Sequence, residues 1–575
     1  MVRYLVTSAL PYANGPIHFG HVTGAYLPAD VYVRTLRMLG EEVLFVCGTD
    51  EHGVAITIGA EQEGKPYPQY VARWREVIKR TFDAFGIEFD IWSGTSICPE
   101  HRAASQGFFR RLDDRGWLLK KTSAQLYCTH DRMFLADRYI LGTCTKCGYE
   151  QARGDECPRC GTWLDPLEMA RKTRAVCKVC GNVPEQRDTL HWHLDLPALR
   201  DKGFGAWFQG RTWKPNVSGF IGNMLADLQP RPITRDMTWG VPVPEDRAAG
   251  ETGKVLYVWF DAPIGYVSFT QQWAREQGRP GDWERWWKSP DTRLVHFIGK
   301  DNIPFHCLVF PSMLYGMDEG WTMPWQVPAN EFYNLQGGKF STSQNWTVPV
   351  DEFFAKYDAE AARFHLIASM PEAADSEWRW EEFQSTNNAL LADAIGNLAT
   401  RVLKFIEKNA EGRIPSLDPG HAEELDRCIL GQCGEFGDPA LHVLEFRFRR
   451  AAEELIRCAH VGNKFVNDLA PWTLRKTDPA RAASVLNTAC QWLAWMARWM
   501  APFMPQKAQA LWEMLGQTTR VAGERWPGLP VAGSWRVLPA GQRLGTVTGL
   551  FPKIEDATIQ AEVAALEARR AAVAS

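Results

Sequence analysis

Four short apolar runs, each ending in a polar turn, constrain the fold more than any other feature of this sequence. The runs are residues 4–10, 43–47, 255–260 and 294–298, and the turns after them contain glycine, proline or charged residues. Apolar strands that alternate with loops and helices are typical of a parallel, doubly wound sheet. Because ligands bind outside the carboxyl ends of such strands, we expect a functional site at these turns.

Composition narrows the class of protein. The chain has 575 residues, which is enough for several domains. With 45% hydrophobic and 23% charged residues, it is neither a mainly disordered nor a collagen-like protein. A formal net charge of −4 excludes a uniformly basic nucleic-acid coat, although it allows a local basic face. Because no segment approaches the ~20 apolar residues that span a bilayer and the first apolar run is too short for a signal peptide, we expect no membrane contact and a cytoplasmic location.

Cysteines are concentrated in one stretch. Seven of the 14 cysteines lie between Cys128 and Cys180, and clustered pairs in a large chain indicate metal ligands rather than a disulfide scaffold. Two C-x-x-C pairs are separated by nine residues; their members are Cys144, Cys147, Cys157 and Cys160. Four thiolates at this spacing predict a tetrahedral Zn²⁺ site, which is structural because it leaves no open coordination position.

A third pair, Cys177 and Cys180, has no fourth pair to match it. Its complement would be Cys128 with either His130 or Asp131, which would form a second zinc site. The alternative is that these thiols are free and belong to a degenerate knuckle.

Amphipathic helices dominate the second half of the chain. From about residue 383, apolar residues recur at spacings of three and four, as in Leu391, Ile395, Leu398, Val402 and Ile406. Similar patterns over 440–469 and 480–500 predict an all-α bundle. The Ala- and Glu-rich segment 555–575 is predicted to be a loosely attached helix.

Two histidines, His18 and His21, begin the helical pattern after the first apolar run. They share a helix face, and a helix N-terminus offers free N–H groups and a partial positive charge to a phosphate. Gly20 between them would let a base or ribose approach the backbone. The alternative interpretation is a turn with two incidental histidines.

The segment 336–345, QGGKFSTSQN, is a second candidate for phosphate contact. Its glycines favour a mobile loop, and Lys339 with the hydroxyls of Ser341, Thr342 and Ser343 could follow a polyphosphate as charge moves onto pyrophosphate. A surface loop with no such role has the same composition, so the interpretation depends on the pairing with His18 and His21.

Together these two segments resemble the signatures of class I aminoacyl-tRNA synthetases, His-Ile-Gly-His and Lys-Met-Ser-Lys-Ser. They stand here as HFGH at 18–21 and KFSTS at 339–343. Four further segments look like methionyl-tRNA synthetases: ALPY at 9–12, GTDEHG at 48–53, WFDAPIGY at 259–266, and GKD at 299–301 followed by His306. The resemblance covers essentially the whole chain. It implies an α/β fold with a doubly wound parallel-sheet (Rossmann-like) catalytic domain, a zinc-knuckle insertion and a C-terminal all-α helical bundle.

The resemblance and the changes of pattern divide the chain into six parts. We predict the first half of the catalytic domain at 1–112, the connective insertion at 113–235, the second half of the catalytic domain at 236–330, a stem-contact region at 331–382, an anticodon-binding helical domain at 383–535 and a C-terminal extension at 536–575.

A methionine pocket is the first implied site. Its residues would be Leu10, Tyr12, Asp50, Trp259, Ala262, Pro263, Tyr266 and His306. Asp50 at a strand end can pair with an α-ammonium group, and aromatic rings suit a thioether. Arg235 matches a family residue near the substrate carboxylate; a surface ion pair is its alternative role. For each aromatic residue taken alone, ordinary core packing is the simpler interpretation.

ATP chemistry is the second implied function. The methionine carboxylate would attack the α-phosphorus of ATP, and the methionyl group would then pass to the 3′ end of tRNA(Met). His18 and His21 would contact the phosphates and ribose, with Gly20 beneath the adenine, while Lys339 and Lys300 would offset transition-state charge. Asp301, Ser341, Thr342 and Ser343 complete the expected ATP site, and Mg²⁺ would arrive with ATP.

Some positions depart from the commonest family pattern. Thr342 stands where a second lysine is usual and cannot supply a cation, and Phe340 replaces methionine. Other branches of the family carry a similar loop, so we interpret this as variation. Asn302 occupies a position that is often apolar in the family.

The resemblance also implies that Asn397, Arg401 and Trp472 contact the anticodon, since splayed bases are recognised by stacking and edge hydrogen bonds. With no appended oligonucleotide-binding domain visible after the bundle, we expect a monomer.

Two other functions agree with parts of the sequence. Small nucleotidyltransferases also use His-x-Gly-His, but they lack a helical anticodon-type domain and a zinc insertion. A non-catalytic RNA-binding paralogue would be expected to have lost His18, His21 or Lys339, and the changed Thr342 is its sole support.

Overall fold

The computed structural model describes residues 2–136, 139–154, 157, 159–160, 162, 164–248, 250–340, 346–433 and 436–574, with residues 572–574 as backbone. In this part of the chain, none of the helices combines the length and the apolar character that crossing a membrane requires.

A parallel sheet forms the centre of the N-terminal half. In spatial order its strands are Pro324–Gln326, Thr292–Gly299, Arg3–Ser8, Glu42–Thr49 and Ile91–Gly94, and Ala329–Asn330 pairs with Thr292–Gly299. The order reverses between Arg3–Ser8 and Thr292–Gly299, so the predicted doubly wound sheet is confirmed. The carboxyl ends of these two strands define the switch point at which we expect a ligand.

Both faces of the sheet are buried because apolar residues at successive strand positions point to opposite sides. Val6 and Phe45 pack in one cluster with the helix Leu27–Leu39. Leu5 and Leu44 pack in the other cluster, with the helices His101–Asp114 and Ile264–Glu276. Further helices of this half are Phe19–His21, Val22–Tyr26 (a π-helical turn), Val54–Gln62, Tyr67–Ala84, Val258–Asp261, Glu284–Trp287, Phe305–Val309 (a second π-helical turn) and Phe310–Met317.

One of the four apolar runs is not a strand of this sheet. In residues 255–260, Lys254–Leu256 pairs antiparallel with Thr234–Asp236, and the chain then enters the helix Val258–Asp261. The expectation of a parallel strand was wrong here because a short, fully apolar run has no periodicity that separates a strand from a buried helical turn.

The described residues of the insertion form two small antiparallel sheets. One has the spatial order Arg231–Pro232, Glu185–Leu194, Leu118–Cys128 and Met133–Phe134, and the other Ala152–Arg153, Ile140–Gly142 and Ala175–Cys177. The second sheet and the helix Pro166–Lys172 have their own core, which includes buried cysteines. The helices Leu196–Leu199, Arg200–Phe204, Gly205–Gln209 and Pro215–Ala226 bury residues such as Leu199 and Ile221 in the core beneath the parallel sheet.

A connecting region joins the sheet domain to the helical bundle. It pairs Tyr333–Leu335 with Ser376–Trp378 and contains the helices Val350–Phe354, Ala359–Ala368, Trp380–Ser385 and Thr386–Gly396. The predicted bundle follows, with helices Asn397–Asn409, Pro419–Leu430, Pro439–Leu444, Phe448–Leu469, Pro471–Leu474, Pro479–Met500 and Pro505–Met514.

A buried arginine links the two halves. Arg363 pairs with Asp30 at 2.7 Å and donates hydrogen bonds to the carbonyls of Phe85 at 2.7 Å and Phe503 at 3.0 Å. Asp30 lies on the helix that follows the two histidines, whereas Phe503 belongs to the bundle. A buried charge with every partner in place holds these elements in one relative position, because losing a partner would leave a charge unpaired.

The final helix, Asp556–Ala574, is docked rather than loose, which corrects the sequence expectation. Ile559 and Leu566 are each 3% exposed within the main core, and Lys356 pairs with Glu562 at 2.7 Å. Burying each of these two side chains contributes about 1.5–3 kcal/mol, which composition alone could not reveal.

Candidate active site

The two histidines lie at the start of a helix at the switch point of the sheet. His18 is the N-cap residue of Phe19–His21, and its Nδ1 accepts the Gly20 N–H at 3.1 Å. The His18 backbone N–H in turn donates to Nδ1 of His21 at 3.2 Å, and the ring centroids are 3.8 Å apart. Because both Nδ1 atoms are acceptors, each neutral ring carries its proton on Nε2, which remains a donor for a ligand oxygen.

Desolvation keeps both rings neutral. Desolvation, followed by repulsion from His21, lowers the pKa of His18 well below its usual value. Solvent reaches His21 through the cleft, yet the surrounding protein desolvates it and lowers its pKa to about 4. In the unliganded protein at neutral pH, the histidine pair therefore offers hydrogen bonds rather than positive charge.

Gly20 is required by a close approach. A Cβ at this position would lie 2.8 Å from the Tyr333 carbonyl oxygen and 2.9 Å from the His18 ring. Any side chain would displace the backbone of the connecting region or the imidazole, so this close packing requires glycine.

The segment that carries Lys339 meets the histidines. The Phe340 ring stacks on His18 with centroids 4.6 Å apart, and Nζ of Lys339 lies 5.1 Å from the centroid of Phe332. A cavity of about 260 Å³ is lined by residues of both segments, among them His18, Gly20, His21, Lys339 and Phe340. Ser341, Thr342 and Ser343, which we predicted to bind ATP, lie outside the described residues.

Lys300 and Asp301 follow the strand Thr292–Gly299 at the same edge of the sheet. Nζ of Lys300 pairs with Glu331 at 2.7 Å and Asp375 at 2.8 Å, and it lies 4.2 Å from the Phe332 centroid. Asp301 lines the cavity, and burial raises the pKa of its carboxyl group. Lys300 therefore has two carboxylate partners, which a phosphate would have to displace or share.

A second cavity of about 480 Å³ adjoins the first. It is lined by all eight residues that we predicted to bind methionine: Leu10, Tyr12, Asp50, Trp259, Ala262, Pro263, Tyr266 and His306. Seven residues line both cavities: Ala9, His18, His21, Tyr26, Asp301, Asn302 and Phe340. The two cavities are thus parts of one cleft.

Hydrogen bonds hold the polar side chains of the second cavity in place. Nδ1 of His306 donates to the Asn302 carbonyl at 3.2 Å, so its Nε2 accepts the Tyr266 hydroxyl at 2.8 Å. Desolvation lowers the pKa of His306 to about 4, which keeps this ring neutral. Trp259 stacks on Phe305 with centroids 3.6 Å apart. Sequence reasoning missed Phe305, although it stands beside His306 in the same segment.

Asp50 lies at the bottom of this cavity over a buried polar network. It is 2% exposed, and its Oδ1 accepts the His52 N–H at 3.3 Å. His52 and His101 both hydrogen-bond the buried Asp261, the latter at 2.7 Å. Burial, and then the nearby Asp261 charge, raise the pKa of Asp50 well above its usual value. A ligand ammonium would reverse this shift by favouring the carboxylate.

Arg235 lies elsewhere. It lines a separate cavity of about 240 Å³ with His191 and His193, and its guanidinium lies 4.0 Å from the Tyr257 ring centroid. The structure does not bring it to the cavity that contains Asp50.

The four predicted zinc ligands converge. Cys144, Cys147, Cys157 and Cys160 place their sulfur atoms within 4.8 Å of one another. The Cys147 N–H lies 3.4 Å from the Cys144 sulfur, and Gly148 adopts the left-handed conformation with φ of 72°. Sequence spacing thus found a cluster in which a metal ion such as zinc could bind.

A second cluster has the same backbone geometry with one ligand changed. Cys128, Asp131, Cys177 and Cys180 also bring their ligand atoms within 4.8 Å. The Asp131 N–H lies 3.4 Å from the Cys128 sulfur, and Arg132 has a φ of 54° where the first cluster has Gly148. Of the two candidates left open, Asp131 belongs to the cluster, whereas His130 is exposed and contacts Asp131 Oδ1 at 2.9 Å.

The predicted anticodon residues lie together on the bundle. The Arg401 guanidinium is 4.7 Å from the Trp472 ring centroid, and Arg401 donates to Asn467 at 2.9 Å. Asn397 is exposed one turn before Arg401. Asn467 was missed, because its role depends on the packing of two helices that are far apart in sequence.

Comparison with known proteins agrees with this geometry. The family of class I tRNA synthetases (M) matches residues 4–403, and the anticodon binding domain of methionyl tRNA ligase matches residues 438–571. A methionine–tRNA ligase of Parabacteroides distasonis is 44% identical over 98% of this chain and 80% of its own length, and one of Bacteroides fragilis is 43% identical over the same shares.

A solved structure has the same architecture. The Mycobacterium tuberculosis methionyl-tRNA synthetase in complex with methionyl-adenylate is 25% identical, with a TM-score of 0.75 over 96% of this chain and 100% of that one. These matches cover both the sheet domain and the bundle, and the chain belongs to the methionyl-tRNA synthetase family of class I.

Proposed function

We propose that this protein is a methionine–tRNA ligase that carries out both of its steps in the cleft that the two cavities form. The methionine carboxylate attacks the α-phosphorus of ATP, which forms methionyl-adenylate and releases pyrophosphate. The terminal ribose hydroxyl of tRNA(Met) then takes the methionyl group and releases AMP. The observation that supports the proposal is that seven residues line both cavities. A methionine carboxylate bound in one cavity would therefore lie within reach of an ATP phosphate bound in the other.

Positioning and charge stabilisation would supply the catalysis, because neither step needs a covalent enzyme nucleophile. His18 and His21 would donate hydrogen bonds from Nε2 to phosphate or ribose oxygens, and Lys339 would offset the charge that moves onto pyrophosphate. Lys300, Asp301, Ser341, Thr342 and Ser343 would complete the ATP site. Mg²⁺ would enter with ATP, held mainly by phosphate oxygens.

Methionine would be held at both of its ends. The Asp50 carboxylate would pair with the ammonium group, while Trp259, Tyr12 and Tyr266 would surround the thioether side chain. The edge-to-face contact of Tyr12 with Trp259, at 6.2 Å, supports this arrangement of rings.

A structural zinc ion would bind the Cys144 cluster, whose four thiolates and N–H···S turn suit tetrahedral Zn²⁺. We propose a second zinc at Cys128, Asp131, Cys177 and Cys180, because Arg132 adopts the left-handed conformation that the knuckle turn requires despite its side chain. Metal analysis of purified protein tests both sites. Two zinc ions per chain are expected, one in Asp131→Ala, and a single ion in the wild type would remove the second site.

The anticodon of tRNA(Met) would be read at Asn397, Arg401 and Trp472, with Trp472 as a stacking surface. We propose that the protein acts as a monomer in the cytoplasm, where its three substrates meet and where its cysteine pairs stay reduced. The six-part division of the chain stays a prediction that limited proteolysis can test.

ATP–pyrophosphate exchange with a panel of amino acids, followed by charging of tRNA(Met), tests the proposed function. We expect exchange with methionine alone, and charging that falls in Trp472→Ala while exchange is retained. Exchange without any charging would favour a small nucleotidyltransferase-like activity. Binding of tRNA without exchange would favour a non-catalytic RNA-binding protein.

A further inference from the structure

We propose that Trp346 and Arg570 are positioning residues for Lys339 and Phe340, so that the helix Asp556–Ala574 helps to set the geometry of the nucleotide side of the cleft. This inference rests on the proposed function of that cleft. The evidence is a chain of direct contacts that begins at the outer surface of this helix and ends at His18.

The first link is a strained turn just before Lys339. Leu335 and Gly338 exchange backbone hydrogen bonds of 2.8 and 3.0 Å, and the two residues between them, Gln336 and Gly337, have φ values of 36° and 81°. Consecutive left-handed residues are typical of a type I′ turn, which disfavours a non-glycine residue such as Gln336. Such a conformation persists when neighbouring contacts impose it.

The buried side chain of Trp346 supplies one of those contacts. It is 7% exposed, and its indole N–H donates to the Leu335 carbonyl at 2.9 Å. A Cβ at Gly338 would lie 3.0 Å from the indole nitrogen, so the ring packs directly against the turn. The ring therefore holds the backbone from which Lys339 and Phe340 project.

The C-terminal helix covers Trp346 from outside. The Arg570 guanidinium lies 5.1 Å from the centroid of the Trp346 ring, and Arg569 donates to the Thr347 carbonyl at 3.4 Å and pairs with Glu352 at 2.9 Å. The buried Ile559 anchors the helix farther along. The cation–ring contact of Arg570 and the hydrogen bond of Arg569 thus fall on residues 346 and 347, on the C-terminal side of Lys339 and Phe340.

The last link reaches the proposed catalytic group. Phe340 stacks on His18 at 4.6 Å, and Lys339 lies beside the same cavity. A shift of the turn would move the lysine and the stacked ring together. Since small displacements of positioned groups cost rate rather than ground-state binding, loosening Trp346 should lower kcat and leave the methionine pocket unchanged.

Three variants test the proposal in ATP–pyrophosphate exchange. Trp346→Phe replaces the indole with a smaller aromatic ring that has no N–H, and we expect kcat to fall about tenfold with the methionine KM within about twofold of wild type. Arg570→Ala should lower kcat about threefold, and Arg570→Lys should restore most of it because a cation over the ring is retained. Lys356→Ala is the matched control, since it breaks an ion pair of the same helix away from Trp346, and it should leave kcat unchanged.

A readout that does not require activity separates this inference from the proposed function. Hydrogen–deuterium exchange of the Leu335 and Gly338 amides should become faster in Trp346→Phe and in Arg570→Ala, by more than any change in global stability accounts for. Wild-type kcat and unchanged amide protection in both variants would overturn the inference. A loss of kcat matched by an equal loss of methionine affinity or of folded protein would also overturn it. Absence of ATP–pyrophosphate exchange in the wild-type chain would instead contradict the proposed function. Protection of the Leu335 and Gly338 amides would then still test whether Trp346 and Arg570 hold the turn.

Discussion

The two sides of the cleft are built differently. On the methionine side, Asp50, Tyr266 and His306 are 2%, 1% and 4% exposed, and each has a hydrogen-bond partner within the protein. On the nucleotide side, solvent reaches His21. Lys339 directly follows a strained turn, and its Nζ lies over the Phe332 ring.

This difference separates two tasks. A buried, hydrogen-bonded pocket is already formed when its ligand arrives, so it contributes binding free energy with little reorganisation. Groups at an open edge can instead make their strongest contacts when charge develops in the transition state. We therefore expect changes on the methionine side to act mainly on KM and changes on the nucleotide side to act mainly on kcat.

The largest effects should come from the nucleotide side. His21→Ala and Lys339→Ala should each lower kcat for methionine-dependent exchange by about 10²- to 10³-fold, because each would remove a proposed contact to the reacting phosphates. The methionine KM should stay within about threefold of wild type. His421→Ala, which alters a histidine of the bundle, serves as the control. A large rise in the methionine KM of Lys339→Ala would contradict the proposed difference between the two sides.

On the methionine side, Asp50→Asn should raise the methionine KM about 10- to 100-fold, since a hydrogen bond to a charged group is lost. A des-amino analogue of methionine sharpens the test. It should inhibit wild type and Asp50→Asn equally, because it lacks the ammonium group that Asp50 would bind. Weaker inhibition of the variant than of wild type would show that Asp50 acts on another part of the ligand.

The pH dependence of methionine binding follows from burial. Burial raises the pKa of the Asp50 carboxyl well above 3.8, so falling pH protonates it earlier than an exposed aspartate. Binding to the ammonium needs the carboxylate, so methionine affinity should fall as pH drops through the raised pKa, by about tenfold per pH unit below it. Equilibrium dialysis measures this, and Asp50→Asn should show no such dependence. Constant wild-type affinity down to pH of about 4 would contradict it.

The smallest effect should come from Tyr266→Phe, which leaves Nε2 of His306 without its donor. The loss of one buried neutral hydrogen bond should raise the methionine KM about 3- to 10-fold with kcat nearly unchanged. Steady-state exchange kinetics measure both constants. A fall in kcat larger than the rise in KM would place Tyr266 with the transition-state groups.

Much of the cleft could be predicted from sequence because parallel strands bring distant turns to one edge of a sheet. That rule placed His18, Asp50 and Asp301 together, although they are separated along the chain, and the predicted fold class is confirmed. The metal cluster could be predicted from a different pattern, the spacing of its cysteines, since paired thiolates at fixed spacing have few other uses.

Other features depend on tertiary contacts that local patterns do not contain. Three such contacts join segments that are far apart in sequence. They are the stacking of Phe340 on His18, the hydrogen bond from Arg401 to Asn467, and the docking of the helix Asp556–Ala574. The choice of Asp131 over His130 required the knuckle backbone, because both residue types ligate zinc. The helix Val258–Asp261 was missed because a short apolar run has no distinguishing period.

Methionine binding in the absence of ATP tests the central claim, a preformed methionine side beside a nucleotide side that acts during reaction. In equilibrium dialysis of labelled methionine, wild type should bind one methionine per chain, and Lys339→Ala should bind it with a dissociation constant within about twofold of wild type despite its loss of exchange. If methionine bound only after ATP was added, or if Lys339→Ala weakened binding as much as Asp50→Asn, the two sides would not be separate and the account would be wrong.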